Sequence, residues 1–289
     1  IYGMGVIVGP TLGPPLGGYI VDRFSWPFIF YINIPIGIIA ALLTLSFIKS
    51  PKYGVKLKAN QVDWLGIVFL SAFIGSLQFV LEHGQQDDWF NDPVIVTLSV
   101  VSFFGLLFFI WRELTYEHPI VNLRVLKDSN LRIGTIMCFI LGFGLYGSTF
   151  IIPIYTQSIL GWSATDAGLL LIPSSITTGI MMPFIGKMIQ KGIPQTYLVA
   201  AGFFVFFAFT YWMHLVITPD SGEEHMYWPL ILRGVGLGLL FVPITTLSLS
   251  TLTGKHIGEG AAFTGMMRQL GGSFGIAIIT TYIARINQE

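Results

Sequence analysis

Arg233 and Arg268 are the two cations set well inside long apolar stretches of this 289-residue chain. A guanidinium held in a hydrocarbon layer costs about 2.5 to 3.5 kcal/mol on insertion scales, so neither side chain is expected to face lipid. Such a group balances a carboxylate, passes protons or orders neighbouring helices. Arg233 is expected near the outer third of its helix, where snorkelling to the interface or pairing with Glu223 is the plainer reading. Arg268, followed by Gln269, sits deeper and suits a central cavity. Asn33, Gln78, Tyr155, Gln157 and Gln269 add uncharged polar groups that can bond a substrate or a neighbouring helix. Glu82 reads as an exposed loop acid.

Other chemistries lack their parts. His83, His118, His214, His225 and His256 are scattered over different loops and span ends, and no H-E-x-x-H or G-x-S-x-G sequence occurs, so an enzyme is not expected. No metal site or cofactor is expected. Cys138 is the single cysteine, which excludes an internal disulfide and a cysteine-built metal site. Formal net charge is zero, without a basic patch, which leaves no footprint for nucleic acid. There is no Walker sequence. Gly234 to Gly238 has neither the preceding strand nor the acidic partner of a nucleotide loop.

Hydrophobic residues make up 53% of the chain and charged residues 10%, which fits a lipid-embedded protein and not a water-soluble one. Apolar runs predict nine membrane helices at about 2–20, 27–48, 62–82, 93–111, 131–153, 164–186, 196–217, 228–250 and 260–284. An odd number places the two ends on opposite sides. Alternate loops are rich in Lys and Arg (Lys49, Lys52, Lys56, Lys58; Arg112, Arg124, Lys127, Arg132; Lys187, Lys191; Lys255) and are assigned to the cytoplasm. The opposite loops carry Asp87, Asp88, Asp92, Asp166 and Asp220, with Trp89, Trp162 and Trp228 as interfacial anchors. The first helix therefore runs from inside to outside. The chain opens at Ile1 inside an apolar run and is read as a piece of a longer protein.

Gly5, Gly9, Gly13 and Gly17 recur every four residues and present one smooth helix face for close packing, and Pro14 and Pro15 bend its outer end. The whole pattern, Gly5-x-x-x-Gly9-x-x-x-Gly13-Pro14-x-x-Gly17-Gly18, resembles the antiporter motif on the fifth helix of major facilitator drug:proton antiporters. Trp26 to Gly37, which includes Asn33, looks like the start of helix six in their 14-helix EmrB/QacA-like branch. Pro153-Ile154-Tyr155-Thr156-Gln157, Gly161, Ala167-Gly168 and Pro173 resemble that branch's outer loop between helices nine and ten. The resemblance covers essentially the whole chain.

What it implies is an all-α polytopic membrane protein of the major facilitator fold, holding helices 5 to 13 of 14. Residues 1–48 would close the N-terminal bundle, 49–130 would form a linker region with two extra helices, and 131–289 would be the C-terminal bundle without its last helix. The antiporter motif would seal the two bundles against leak in one conformation. Gly271, Gly272 and Gly275 echo it in part. Arg233 occupies the pseudo-symmetric place of an arginine implicated in proton transfer, and 186–192 looks like a degenerate cytoplasmic motif in which Gln190 replaces an acid. The implied activity is proton-driven export of small amphipathic or cationic compounds across the bacterial cytoplasmic membrane. A dedicated exporter of a metabolite, lipid or siderophore is the alternative. Membrane lipid, small-molecule substrate and protons are the implied partners, and the resemblance allows a periplasmic adaptor with an outer-membrane channel. Phe203, Phe204, Phe206, Phe207 and Phe209 cover too much of one helix to form a drug pocket.

Overall fold

The computed structural model describes residues 2–47, 63–116, 121–218 and 221–286, with side chains throughout these stretches except at 2–12, 255 and 285–286. Among the described residues there is helix and no strand, as every backbone group in a bilayer must find a partner within its own segment. The helices are α1 (Tyr2–Arg23), α2 (Phe28–Tyr31), α3 (Asn33–Phe47), α4 (Trp64–His83), α5 (Pro93–Thr115), α6 (Ser129–Ser158), α7 (Ala164–Leu169), α8 (Ile172–Gln190), α9 (Gln195–Val216), α10 (Glu223–Leu249) and α11 (Lys255–Ile286).

Among the described residues seven stretches are long and apolar enough to cross a membrane: Phe28–Phe47, Trp64–His83, Pro93–Thr115, Ser129–Ser158, Ala164–Gln190, Gln195–Val216 and Glu223–Leu249. Each coincides with an expected span. The two remaining expected spans fall on α1 and α11, which are helical but diluted by glycine, with proline in α1 and Arg268 and Gln269 in α11. The basic loop holding Lys49, Lys52, Lys56 and Lys58 lies outside the described residues.

Helix ends follow local chemistry. Asp63 caps α4 by accepting from the Gly66 amide, Asp92 caps α5 by accepting from Val94 and Ile95 ahead of Pro93 at the first helical position, and Asp128 accepts from the Leu131 amide at the start of α6. Hydrogen bonds to Leu131 and Thr251 hold the Asp128 carboxyl below the usual carboxylate range. At the end of α8 the Ile193 amide reaches Met188 and the Gly192 amide reaches Ile189, a left-handed cap that needs the φ of +87° found at Gly192.

Several boundaries exceed the expected ones. α5 continues to Thr115, which brings Arg112 and Glu113 into its last turn. α6 runs unbroken through Pro153, and α10 begins at Glu223 instead of residue 228. Polar residues at the ends of apolar runs extend a helix past the hydrocarbon layer, a contribution that hydropathy does not register.

The chain divides into two compact units. One gathers the N-terminal helices with Ile152–Pro183 and Phe204–Gly236. Its apolar core is Ile152, Leu170, Leu171, Phe209, Met213, Met226 and Leu230, all buried. In the other unit, α4 and α5 pair through Gly105, whose added Cβ would lie 2.9 Å from the Phe73 nitrogen, and through the Ser102 hydroxyl, which donates to the Phe73 carbonyl at 3.2 Å. There α6 and α11 meet backbone to backbone. Cβ atoms at Gly271 and Gly142 would strike the carbonyl oxygens of Phe139 and Arg268, and one at Gly275 would lie 2.7 Å from that of Phe143.

Candidate functional site

The outer end of α1 is gripped by α7. Gly18 faces the Ala164 carbonyl so closely that a Cβ there would collide with it. The fit is reciprocal, because a Cβ on Gly168 would lie 2.5 Å from the Pro14 oxygen and 2.9 Å from the Pro15 Cα. Glycine at both positions lets the two backbones touch. Gly13 and Gly17 have nothing within 4 Å of an added Cβ, so these two motif glycines are not contact points here. Gly5 and Gly9 lie on α1, and their surroundings fall outside the described residues.

Beside this glycine contact the Asp22 carboxylate accepts from the Thr165 amide at 2.7 Å and from the Thr165 hydroxyl at 2.5 Å. Ser163 and Asp166 complete the turn, with the Asp166 amide donating to the Ser163 hydroxyl and that hydroxyl donating to the Asp166 carboxylate. The Thr165 hydroxyl and amide together hold the Asp22 carboxyl below the usual carboxylate range. Asp22 lies beyond the apolar run of α1, and sequence reasoning passed over it. Its partner is 143 residues away, a separation that no local pattern encodes.

Arg233 is 4% exposed and donates to the Ser174 hydroxyl on α8 at 3.0 Å. Since α10 starts at Glu223, Arg233 stands ten residues into the helix, about 15 Å along it at 1.5 Å per residue. Its burial is at odds with a side chain that snorkels to the interface. Glu223 accepts instead from the Tyr227 hydroxyl at 2.7 Å. Gly234 packs on the Ser174 carbonyl, whose Cβ clearance forbids a side chain, and the Thr178 hydroxyl donates to the Gly234 carbonyl.

Arg268 is half-buried on α11, its guanidinium 4.6 Å from the centroid of the Phe241 ring. One turn on, the Ser273 hydroxyl donates to Gln78 Oε1 at 2.7 Å, and Gln78 Nε2 donates to Glu82 at 2.5 Å. Gln78 thus joins α4 to α11. Asn33 bonds the Ile29 carbonyl of its own chain segment, Tyr155 donates to the Thr218 carbonyl, and Gln157 and Gln269 are exposed. An apolar cavity of about 520 Å³ is lined by Leu81, Trp89, Phe274, Ala277, Ile278, Thr281 and Tyr282, none of them among the polar residues singled out above.

Sequence reasoning also missed the charged group at the far end of α4 and α5. The Arg112 Nε donates to both Asp63 carboxylate oxygens, at 3.0 and 3.1 Å, and the guanidinium lies 4.0 Å from the Tyr116 ring centroid. Glu113, fully buried beside it, accepts from the Val121 amide. An Asp just before an apolar run was the legible sign of the cap. Among the described residues no group of three or more His, Cys, Asp or Glu could hold a metal ion.

Packed glycine faces and membrane-length helices describe a polytopic membrane protein, and comparison with known proteins decides its family. The Major Facilitator Superfamily pattern matches residues 1–276. The chain belongs to the Major Facilitator Superfamily. It is 35% identical over 97% of its length to the "Multidrug export protein EmrB" of Escherichia coli (strain K12), of which it covers 54%. It is equally, 35%, identical over 97% of its length to the "Fatty acid resistance protein FarB" of Neisseria gonorrhoeae, covering 55% of that protein. The "Colistin resistance protein EmrB" of Acinetobacter baumannii is 28% identical over the whole chain, which covers 57% of it. The chain thus spans about half the length of the curated relatives it matches. The expected all-α major facilitator fold and the likeness to the EmrB-like branch hold. This superfamily chain is a multi-pass protein of the cytoplasmic membrane.

Proposed function

We propose that the protein is a secondary active transporter that exports small amphipathic or cationic compounds in exchange for protons, by alternating access. The observation that carries this reading is the 35% identity over 97% of the chain to a multidrug export protein. The superfamily match and the likeness to an export protein support movement across the membrane as the activity. Substrate and protons are its small partners, and a periplasmic adaptor with an outer-membrane channel is the assembly proposed around it.

In this reading α1 is helix five and α11 helix thirteen of fourteen. Residues 1–48 end one bundle, 49–130 carry the extra pair, and 131–289 belong to the second bundle. Gly5, Gly9, Gly13, Pro14, Gly17 and Gly18 form the sealing face. Arg233, buried, and Arg268, half-buried, are the charges that respond to protonation elsewhere, while Asn33, Gln78, Tyr155, Gln157 and Gln269 tune helix contacts or substrate passage. The likeness to a fatty acid resistance protein favours a second reading, export of a lipid-like acid. Reconstituted protein is loaded with a pH dye, and tetraphenylphosphonium or a long-chain fatty acid is added in turn. Proton release driven by the cation supports the first reading, and release driven only by the acid replaces it with the second. Loss of the signal in Arg268→Ala places that residue in the transport path.

A further inference from the structure

The sealing face proposed on α1 stops at Gly18 and gives no role to Asp22, one helical turn beyond it. We propose that Asp22 is a positioning residue of the transport cycle, an external latch that holds α1 on α7 when the outer side is closed and lets go when it opens.

Four features carry the inference. The contact joins residues 143 apart in sequence, so it is made by tertiary closure and not by a local turn. Glycines stand on both sides of it, Gly18 under Ala164 and Gly168 under Pro14 and Pro15, so the two surfaces meet without interlocking side chains and separate without repacking a core. Asp22 is exposed and Thr165 half-buried, so water replaces each partner when the contact breaks. One carboxylate oxygen takes both Thr165 bonds, so loss of that oxygen releases both at once. The inference rests on the transport reading for its meaning and on this geometry for its location.

The test uses the full chain in proteoliposomes, carrying Asp22→Cys and Thr165→Cys together. Copper phenanthroline oxidises the pair with and without an imposed proton gradient, and with and without saturating tetraphenylphosphonium, and the linked peptides are quantified by mass spectrometry. The latch predicts a disulfide whose yield shifts by about two-fold or more between conditions, arrest of dye movement when linked, and recovery on reduction. Failure to link, or one yield under every condition in liposomes whose unmutated protein is active, overturns it. Inactive unmutated protein would instead overturn the transport reading, which separates the two failures. A gentler variant guards against misfolding. Thr165→Val removes the hydroxyl donor and should raise substrate-free proton leak about three-fold, with Thr165→Ser restoring the seal. Equal leak in all three contradicts the latch.

Discussion

Gly271→Ala adds one methyl group where α11 lies against α6. The new Cβ would collide with the Phe139 carbonyl oxygen and sit 2.8 Å and 3.0 Å from the Phe139 carbonyl carbon and Cα. All three are backbone atoms of a helix, so no side chain can swing aside and the helices must part. Forcing a methyl into a filled contact costs about 1 to 3 kcal/mol. An unfolding entropy of about 2.1 cal/mol/K per residue, taken over 289 residues, makes that a fall in Tm of roughly 2 to 5 °C. Gly265→Ala on the same helix is the matched control, because nothing lies within 4 Å of its added Cβ. There the helix-propensity gain of Ala over Gly, about 0.5 to 1 kcal/mol, should leave Tm unchanged or raised. Intrinsic tryptophan fluorescence of purified protein in one detergent, followed through melting, reads both. Equal melting of Gly271→Ala and Gly265→Ala would refute the claim that α6 and α11 touch through their backbones. Gly142→Ala probes the other side of the contact, and combining it with Gly271→Ala should cost less than the sum, since the first substitution already separates the helices.

Three further outcomes follow from the described contacts. Arg112→Leu strands the Asp63 carboxylate, whose side chain is 0% exposed, and should cost about 3 kcal/mol, read as a lower melting temperature. Asp128→Ala removes the acceptor for the Leu131 amide and should cost about 1 kcal/mol in the same assay. The Asp22 and Asp128 carboxyls are both held below their ordinary value of 3.8, so their contributions are complete above that pH and fade only as the pH falls through the lowered values. Between pH 5 and 8 neither should alter melting, and a change confined to that window that vanishes in Asp22→Asn would contradict the assignment.

Much of this was legible because a bilayer demands long apolar runs, and helix after helix fell where hydropathy put it. The antiporter pattern showed that α1 offers a bare face, and the glycines at 271, 272 and 275 showed the same for α11. What a one-dimensional pattern could not show is which helix takes each face. Gly18 meets Ala164, and Gly271 meets Phe139, through contacts more than 100 residues apart in sequence. Glu223 and Glu224, charged and first in α10, conceal where that helix begins. Arg112 was counted among loop charges and Asp22 was passed over, because both stand at the ends of apolar runs, where a solvated side chain is the ordinary outcome. Asn33 and Tyr155, read as groups that bond a substrate or a neighbouring helix, bond backbone carbonyls in this structure.

Proton-driven export is tested most directly by movement against a gradient. The full-length protein, reconstituted in liposomes under an imposed pH difference, should concentrate a fluorescent lipophilic cation on the acidic side, and an uncoupler should collapse the accumulation at once. Correctly inserted protein that moves no dye beyond its own gradient, or moves it equally with the uncoupler present, would contradict the account.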